Sequence, residues 1–176
     1  IVTASPAGDG IPNLLALDAQ VELQSRAGTR TLPFSAFATG YRQTALNSDE
    51  IVTALLVPKL DGARSTFLKL GARKYLVISI AMVAAVVATD AAGRISQARI
   101  AVGACSAVAQ RLHQLEASLA GVPLSEAAGL VTAGHFAGLA PIDDVRATAA
   151  YRLAAAEALV RDALADLAAT AIRRAA

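Results

Sequence analysis

Cysteine, histidine and aromatic residues are scarce in this chain of 176 residues. The single cysteine, Cys105, excludes an internal disulfide framework and supplies too few thiolates for an iron–sulfur cluster. The two histidines, His113 and His135, have no acidic or thiol partner at metal-ligand spacing, so no metal site is predicted. Aromatic residues make up only 4% of the chain, which leaves few platforms on which nucleic-acid bases could stack.

Charged runs and long apolar runs are also missing. The formal net charge is +2, and the Lys and Arg residues are scattered, so nucleic acid is not an expected partner. The most apolar run, from Leu76 to Thr89, is shorter than the roughly 20 residues that cross a bilayer as a helix. Its β-branched residues favour a buried strand. Without an export signal and with one cysteine, a cytoplasmic location is predicted.

Small and branched apolar residues are abundant, and in the first third of the chain their order predicts a compact α+β unit. Residues 11–19 have the spacing of a short helix. The phrases QVELQS and TRTLP alternate in polarity around the turn residues RAGT, which indicates a hairpin, and a later strand stops at Pro58. The polar residues 59–66 are the predicted linker, and they divide the chain into residues 1–60 and 61–176.

The period of the apolar residues changes in the second part of the chain. FLKLGAR, the apolar run and ISQARIAVGACS predict three strands in an antiparallel meander. Helical spacing follows in VAQRLHQLEASLAG, in LSEAAGLVTAGHFAG and in the alanine-rich segment that begins VRATAAYR. The predicted fold class is therefore α+β, with a three-stranded antiparallel sheet covered on one face by a three-helix layer.

The stretch TASPAGDG suggests a ligand-binding loop. Its small residues permit close approach to the backbone, and Asp9 could accept hydrogen bonds from a ligand, whereas the simpler interpretation is that Asp9 caps the following helix. Lys69 stands among apolar neighbours as either an edge residue or a contact to an anionic group. Asp143 and Asp144 precede the last helix and suit the positive end of its dipole.

Nucleophilic catalysis has no support in the residue pattern. Ser5 lacks the flanking glycines of a nucleophile elbow, and Cys105 has no histidine nearby in the sequence. His113 is expected on a helix surface and His135 near a helix end. Composition and periodicity therefore indicate an α+β protein with a candidate ligand loop, and they do not indicate a reaction.

Five phrases follow one another over essentially the whole chain: VTASPAGD, GYRQTAL with DEIV, FLKLGARK, ARIAVGA and PIDDVRATAAYR. In this order and spacing they resemble the FAD-binding subunit, or medium domain, of the molybdenum hydroxylases, which include xanthine dehydrogenase and carbon monoxide dehydrogenase. The resemblance implies that residues 1–60 are the C-terminal portion of a two-lobed FAD-binding domain, without its N-terminal lobe. Residues 61–176 would be the C-terminal domain of the carbon monoxide dehydrogenase flavoprotein type.

The function implied by this resemblance is electron transfer in an oxidoreductase. A large molybdopterin-binding subunit would hydroxylate the substrate, and [2Fe–2S] centres in a small subunit would relay the electrons. FAD in this chain would collect them and pass them to NAD+, oxygen or another acceptor, within a heterotrimer. The alternative is a non-catalytic module that docks onto partner subunits and binds no flavin on its own.

The cofactor-binding residues implied by the resemblance are Thr3, Ser5, Asp9, Val52 and Lys69. Thr3 and Asp9 correspond to a hydroxyl and a carboxylate of the loop that contacts the flavin. Val52 corresponds to an apolar position that contacts the cofactor through its backbone, and Lys69 to a lysine near the flavin. No catalytic residue and no metal ligand is implied.

Overall fold

A computed structural model describes residues 1–175 and contains mixed α and β structure with three antiparallel sheets. The strands are β1 (Gln20–Ser25), β2 (Gly28–Pro33), β3 (Ala38–Gly40), β4 (Gln43–Thr44), β5 (Ile51–Leu56), β6 (Arg64–Leu70), β7 (Ala81–Thr89), β8 (Ile95–Gly103) and β9 (Gln110–Arg111). The α-helices are α1 (Gly10–Ala16), α2 (His113–Ser118) and α3 (Ala149–Ala175), and short 3-10 helices cover Phe34–Ala36, Leu124–Leu130 and Ala133–Phe136. The predicted mixture of helices with antiparallel sheets is confirmed.

The first sheet has the strand order β2-β1-β5 and contains the predicted hairpin. Strand β1 pairs with β2 from Gln20 opposite Pro33 to Ser25 opposite Gly28. Val21 and Leu23 of β1 are fully buried because alternate side chains of a strand point to the same face. Strand β5, on the other side of β1, forms an edge of this sheet.

The second sheet has the order β6-β7-β8-β9, so the predicted three-stranded meander has one short strand more. Strand β6 begins at Arg64, inside the segment predicted as a linker. Strand β7 begins only at Ala81, so the first residues of the apolar run do not belong to it. Leu76 is 94% exposed and has a φ of 49°, a left-handed conformation that is incompatible with a strand.

Both faces of strand β7 are buried, which explains its unbroken apolar sequence. Val83, Ala85 and Val87 face a core that includes α2, both later 3-10 helices and α3. Ala84 and Val86 face a second core that includes α1 and the first sheet. The three segments predicted as a helix layer pack on one face of this sheet, although the middle one is 3-10 rather than α-helical, and the opposite face, for which no cover was predicted, carries α1 and the first sheet.

Helix α3 packs through one stripe along its length. The buried residues of the stripe recur at helical spacing and are Arg152, Ala156, Val160, Ala163, Leu164 and Leu167. Alanine at several of these positions matches the small side chains of β7, so the helix lies close to the sheet.

Helix α1 is held on the opposite face of the sheet by an ion-pair cluster. Asp18, just after the helix, forms an ion pair with Arg99 of β8 at 2.9 Å and accepts a hydrogen bond from Arg111 of β9 at 2.7 Å. Arg111 also pairs with Glu116 of α2 at 2.5 Å. These contacts join the first residues of the chain to the second sheet, which fixes the position of the loop that precedes α1.

A bidentate ion pair between Arg30 and Glu50 joins β2 to the turn before β5. Arg30 donates from Nε to Glu50 Oε1 at 2.6 Å and from a terminal nitrogen to Oε2 at 2.8 Å. The Arg30 hydrogen bond, together with the backbone N–H of Asn47, lowers the pKa of Glu50 to about 2. Because the folded pKa lies below the ordinary 4.5, the carboxylate stabilises the fold above pH 4.5, and this contribution is lost as the pH falls towards 2.

We therefore expect Glu50→Gln to lower the free energy of unfolding at neutral pH but not at the acid end of this range. Urea unfolding of both proteins across the range measures the difference. If the difference in the free energy of unfolding between the two proteins were the same at all pH values, the ionised carboxylate of Glu50 would not be what stabilises the fold.

Candidate functional site

The carboxylate of Asp9 lies at the centre of a polar cluster in front of α1. Its Oδ2 accepts a hydrogen bond from Lys69 Nζ at 2.6 Å, and its Oδ1 accepts one from Ser79 Oγ at 2.9 Å. The three residues come from the N-terminal loop, from the edge strand β6 and from the loop that leads into β7. Two residues predicted from the sequence, Asp9 and Lys69, are therefore brought together although 60 positions separate them.

The register of the second sheet explains how this contact forms. Lys69 of β6 lies opposite Met82, and Phe67 lies opposite Ala84, so Lys69 is on the face of the sheet that carries α1. Helix α1 crosses β7 and β8 on that face, and its first turn follows Asp9 directly. Lys69 is thus an edge-strand residue, which agrees with the first of its two interpretations, and its ammonium pairs with a carboxylate of the protein. Its contact with an anionic ligand stays a prediction.

The prediction that Asp9 caps helix α1 is wrong. Asp9 occupies the N-cap position, but its side chain makes no capping hydrogen bond. An ammonium and a hydroxyl occupy its two oxygens, and these charge-assisted bonds replace the weaker bond to a backbone N–H. The carboxylate is 48% exposed, so it can accept further hydrogen bonds from the open side.

A cavity of about 350 Å³ opens beside this cluster. Ser79 lines the cavity and donates to Asp9, so the two features share a wall. Exposed apolar side chains form part of the lining, with Tyr41, Ile78 and Ile142 exposed by 64, 50 and 69%. Further lining residues are Ser5, Pro6, Ala7, Ala104, Ser106, Ala107, Ala140, Asp144, Arg146 and Arg152.

Strained backbone is concentrated in the loops around this cavity. Among the described residues, four of the five non-glycine residues with positive φ lie here: Ala4 (41°), Arg42 (54°), Leu76 (49°) and Ala104 (63°). Two of these residues tie the N-terminal loop to its neighbours. Arg42 N–H donates to Ala4 O at 3.1 Å, and Ala104 N–H donates to Pro6 O at 2.9 Å. Strain of this kind is typical of functional loops that the surrounding structure holds in place.

A buried arginine forms part of the cavity wall. Arg152 of α3, only 3% exposed, donates to Ile80 O at 2.5 Å, to Ala104 O at 3.2 Å and to Asp144 Oδ1 at 2.7 Å. The backbone N–H of Arg146 and the Arg152 guanidinium hold the pKa of Asp144 well below its usual range. The sequence predicted only a helix-dipole role for Asp144, which instead neutralises a buried charge.

The other acidic residue before α3 behaves as predicted. Asp143 Oδ1 accepts from the backbone N–H of Ala149 at 2.5 Å, and Ala149 is the first residue of α3. Asp143 therefore satisfies a donor at the helix start, where a negative charge also complements the dipole.

The remaining predicted cofactor residues are placed less directly. Ser5 lines the cavity. Thr3 is exposed in the turn before Ala4, and Val52 lies on β5 opposite Leu23, half-buried against the second core. Within the described part of the chain no hydrogen bond links Thr3 or Val52 to the Asp9 cluster, so their roles stay predictions.

The two histidines occupy the positions expected of them. His113 begins α2 with an exposed side chain, and His135 forms a capping box with Thr132 in a 3-10 helix. Cys105 is fully buried, and burial raises the pKa of its thiol to about 11.

The described residues contain no group of His, Cys, Asp and Glu side chains able to hold a metal ion. In residues 1–175 no helix has the length and hydropathy needed to cross a membrane.

Two important residues were missed by the sequence reasoning, although a signal for each is present. Ser79 is a polar side chain inside an apolar run, and it is 1% exposed. Arg152 shares one helical stripe with Ala156 and Val160. A polar or charged residue at a core position of a strand or helix requires a partner, and in both cases the partner belongs to the site.

Comparison with known proteins places this geometry in context. The FAD binding domain in molybdopterin dehydrogenase matches residues 1–60, and the CO dehydrogenase flavoprotein C-terminal domain matches residues 66–167. The nicotinate dehydrogenase FAD-subunit of Eubacterium barkeri is 36% identical over 127 residues, which are 70% of this chain and 43% of that protein. The nicotine 6-hydroxylase medium subunit of Paenarthrobacter nicotinovorans is 36% identical over 151 residues, which are 84% of this chain and 52% of that protein.

The fold comparison agrees with the sequence comparison. Reconstituted CO dehydrogenase from Oligotropha carboxidovorans contains a chain that superposes with a TM-score of 0.85 at 25% identity. The superposition covers 96% of this chain and 59% of that chain. This chain therefore spans about half the length of the curated relatives it matches.

Proposed function

Since this chain belongs to the family of FAD-binding subunits of the molybdenum hydroxylases, we propose that it forms one wall of an FAD site in an electron-transfer oxidoreductase. The observation that carries the proposal is the Asp9–Lys69–Ser79 cluster beside an open cavity, in which Asp9 belongs to the loop that matches the FAD-binding family. Residues 1–60 would contribute the last portion of the FAD-binding domain, and residues 61–176 the C-terminal domain.

The residues of the cluster fit a flavin. The half-exposed Asp9 carboxylate is free on its open side to accept hydrogen bonds from ring N–H or ribityl hydroxyl groups. The small side chains of residues 4–8 let a flat ring approach the backbone. A cavity of about 350 Å³ is at the lower end of the size of small-molecule sites, which suits one part of a large dinucleotide.

Each residue has a distinct task in this proposal. Bound FAD supplies the reversible uptake of electrons, and the protein supplies its position and electrostatic surroundings. Lys69 would bring a positive charge close to the bound flavin and so favour negative charge on it, and Asp9 would keep the ammonium oriented. Thr3 and Ser5 would add hydroxyl contacts on the same loop, and Val52 a backbone contact from β5.

Electrons would arrive from [2Fe–2S] centres in a small partner subunit, after hydroxylation of a substrate in a large molybdopterin-binding subunit. The flavin would then pass the electrons to the final acceptor, which is NAD+, oxygen or another oxidant.

A further lobe of the FAD domain would complete the site from the opposite side. Strand β5 supports this proposal, because it is an edge strand with exposed apolar side chains at Ile51, Leu55 and Leu56. Exposed apolar rows of this kind mark surfaces that other polypeptide covers. The same row favours the second candidate function, a module that only docks onto partner subunits and binds no flavin.

Flavin retention separates the two candidates. The complete gene product is purified by gel filtration in the presence of FAD, and the flavin absorbance that co-elutes with the protein is compared with protein concentration. We expect close to one flavin per chain. A colourless protein that still assembles with molybdopterin and iron–sulfur subunits would support the docking module and refute the flavoprotein proposal.

A further inference from the structure

We infer that Arg152 and Asp144 form a positioning pair for the flavin loop: the buried guanidinium sets the place of Ser79 and of residues 5–9 from behind. This inference rests on the proposed function, since the loop it positions is the proposed FAD wall. Arg152 is a positioning residue, because it is only 3% exposed and both of its terminal nitrogens are bonded to backbone carbonyls or to Asp144.

The first link runs from Arg152 to Ser79. One terminal nitrogen of Arg152 donates to Ile80 O, and Ile80 N–H in turn donates to Leu70 O at 2.8 Å. Ser79 is the preceding residue, and its hydroxyl donates to Asp9. The position of the Ile80 carbonyl therefore determines where the Ser79 hydroxyl meets the carboxylate.

The second link runs from Arg152 to the N-terminal loop. The same nitrogen donates to Ala104 O, and Ala104 N–H donates to Pro6 O, so one residue connects the guanidinium to the loop. Ala104 has a φ of 63°, which alanine adopts only when its surroundings hold it. Its two hydrogen bonds are the contacts that hold it there.

Asp144 completes the pair by neutralising and orienting the guanidinium. Its Oδ1 accepts from the second terminal nitrogen of Arg152 and from the backbone N–H of Arg146, and its Oδ2 pairs with the Arg146 side chain. The Nε of Arg152 has no partner within the described structure, so the two terminal nitrogens make all of its bonds. A lysine cannot replace them, because one ammonium lacks the planar fork that reaches two carbonyls and a carboxylate at once.

The same helix offers a matched control. Arg161 of α3 also binds two backbone carbonyls, those of Ala128 and Val131, and it also has a carboxylate partner, Glu157. Its backbone contacts lie in the 3-10 helix Leu124–Leu130 and at the residue that follows it, and neither belongs to the Asp9 cluster. Arg161→Lys therefore reproduces the loss of an arginine clamp on the same helix without disturbing the links to the flavin loop.

The test uses the complete flavoprotein with Arg152→Lys, Asp144→Asn and Arg161→Lys, and it has two independent readouts. Hydrogen–deuterium exchange without FAD reports loop order directly. We expect faster exchange in residues 5–9 and 79–80 for the two site variants, and faster exchange in residues 128–131 for Arg161→Lys. FAD titration is expected to show about tenfold weaker binding for Arg152→Lys and no change for Arg161→Lys.

Coupling to Asp9 gives the sharpest criterion. If Arg152 acts through the Asp9 cluster, Arg152→Lys adds little to the loss of FAD affinity that Asp9→Asn already causes. The fold-change in FAD dissociation constant of the double variant is then smaller than the product of the two single fold-changes. Unchanged exchange in residues 5–9 and 79–80 in Arg152→Lys would overturn the inference, whatever the flavin content. Should Arg152→Lys fail to fold, Asp144→Asn, which keeps the guanidinium, decides the question by the same exchange pattern. A wild-type protein that binds no FAD would refute the proposed function alone, because the exchange readout needs no flavin.

Discussion

Asp9→Asn should weaken FAD binding by the complete flavoprotein by about 10- to 100-fold, the effect of losing a charge-assisted hydrogen bond. The substitution keeps the size of the side chain but removes the charge that accepts from Lys69 and Ser79. Lys69 then loses its ion-pair partner, and the loop loses its link to β6 and to the start of β7. Titration of the apoprotein with FAD, followed by quenching of flavin fluorescence, measures the dissociation constant.

Asp143→Asn is the matched control for this prediction. Asp143 is also an exposed aspartate in front of a helix, but its carboxylate accepts from the first N–H of α3 and not from the cluster. Asparagine keeps an accepting oxygen, so only the negative charge at the helix start is lost, which should cost about 0.3–1 kcal/mol of stability and leave the FAD dissociation constant unchanged. Equal FAD affinity in the wild type and in Asp9→Asn would remove Asp9 from the flavin site.

In contrast to Asp9→Asn, Leu164→Ala should greatly lower the free energy of unfolding and leave the FAD affinity unchanged. Leu164 is fully buried in the core between α3 and the second sheet, on the face turned away from α1. Truncation leaves a cavity among side chains that cannot collapse into it, which costs about 2–5 kcal/mol. The free energy of unfolding from urea titration gives the loss, and FAD binding is measured under native conditions.

Leu130→Ala serves as the comparison for this core substitution. Leu130 is 41% exposed, so its truncation removes less buried surface and should cost clearly less than the change at Leu164. Similar losses in the two variants would mean that the helix layer is not packed as the structure describes. A loss of FAD affinity in Leu164→Ala would mean that the two faces of the sheet are coupled more tightly than their separate cores indicate.

The sequence predicts the regular elements of this fold well because their patterns are local. The hairpin of β1 and β2 follows from alternation around a turn, and the stripe of α3 follows from its spacing. The start of β7 was misplaced because an apolar run does not reveal where the chain turns. The position of α1 across β7 and β8 could not be predicted either, because it depends on the ion pairs of Asp18 with two residues distant in the sequence, Arg99 and Arg111.

Two members of the polar cluster, Asp9 and Lys69, were predicted, but its geometry was not. The resemblance named Asp9 and Lys69, whereas the contact between them depends on strand register and on the place of α1. The local interpretation of Asp9 as a cap failed because a lysine distant in sequence competes for the carboxylate. Ser79 and Arg152 became visible only once the fold showed which polar groups share a buried wall.

Chemical labelling of lysine tests the central claim, that the Asp9 loop and Lys69 face the flavin. The complete flavoprotein is acetylated with and without FAD, and the rate at each lysine is read by mass spectrometry. Lys59 is exposed in the loop between β5 and β6 and provides an internal reference. The account predicts that FAD slows the labelling of Lys69 strongly and that of Lys59 not at all, whereas equal labelling of Lys69 in both samples would contradict it.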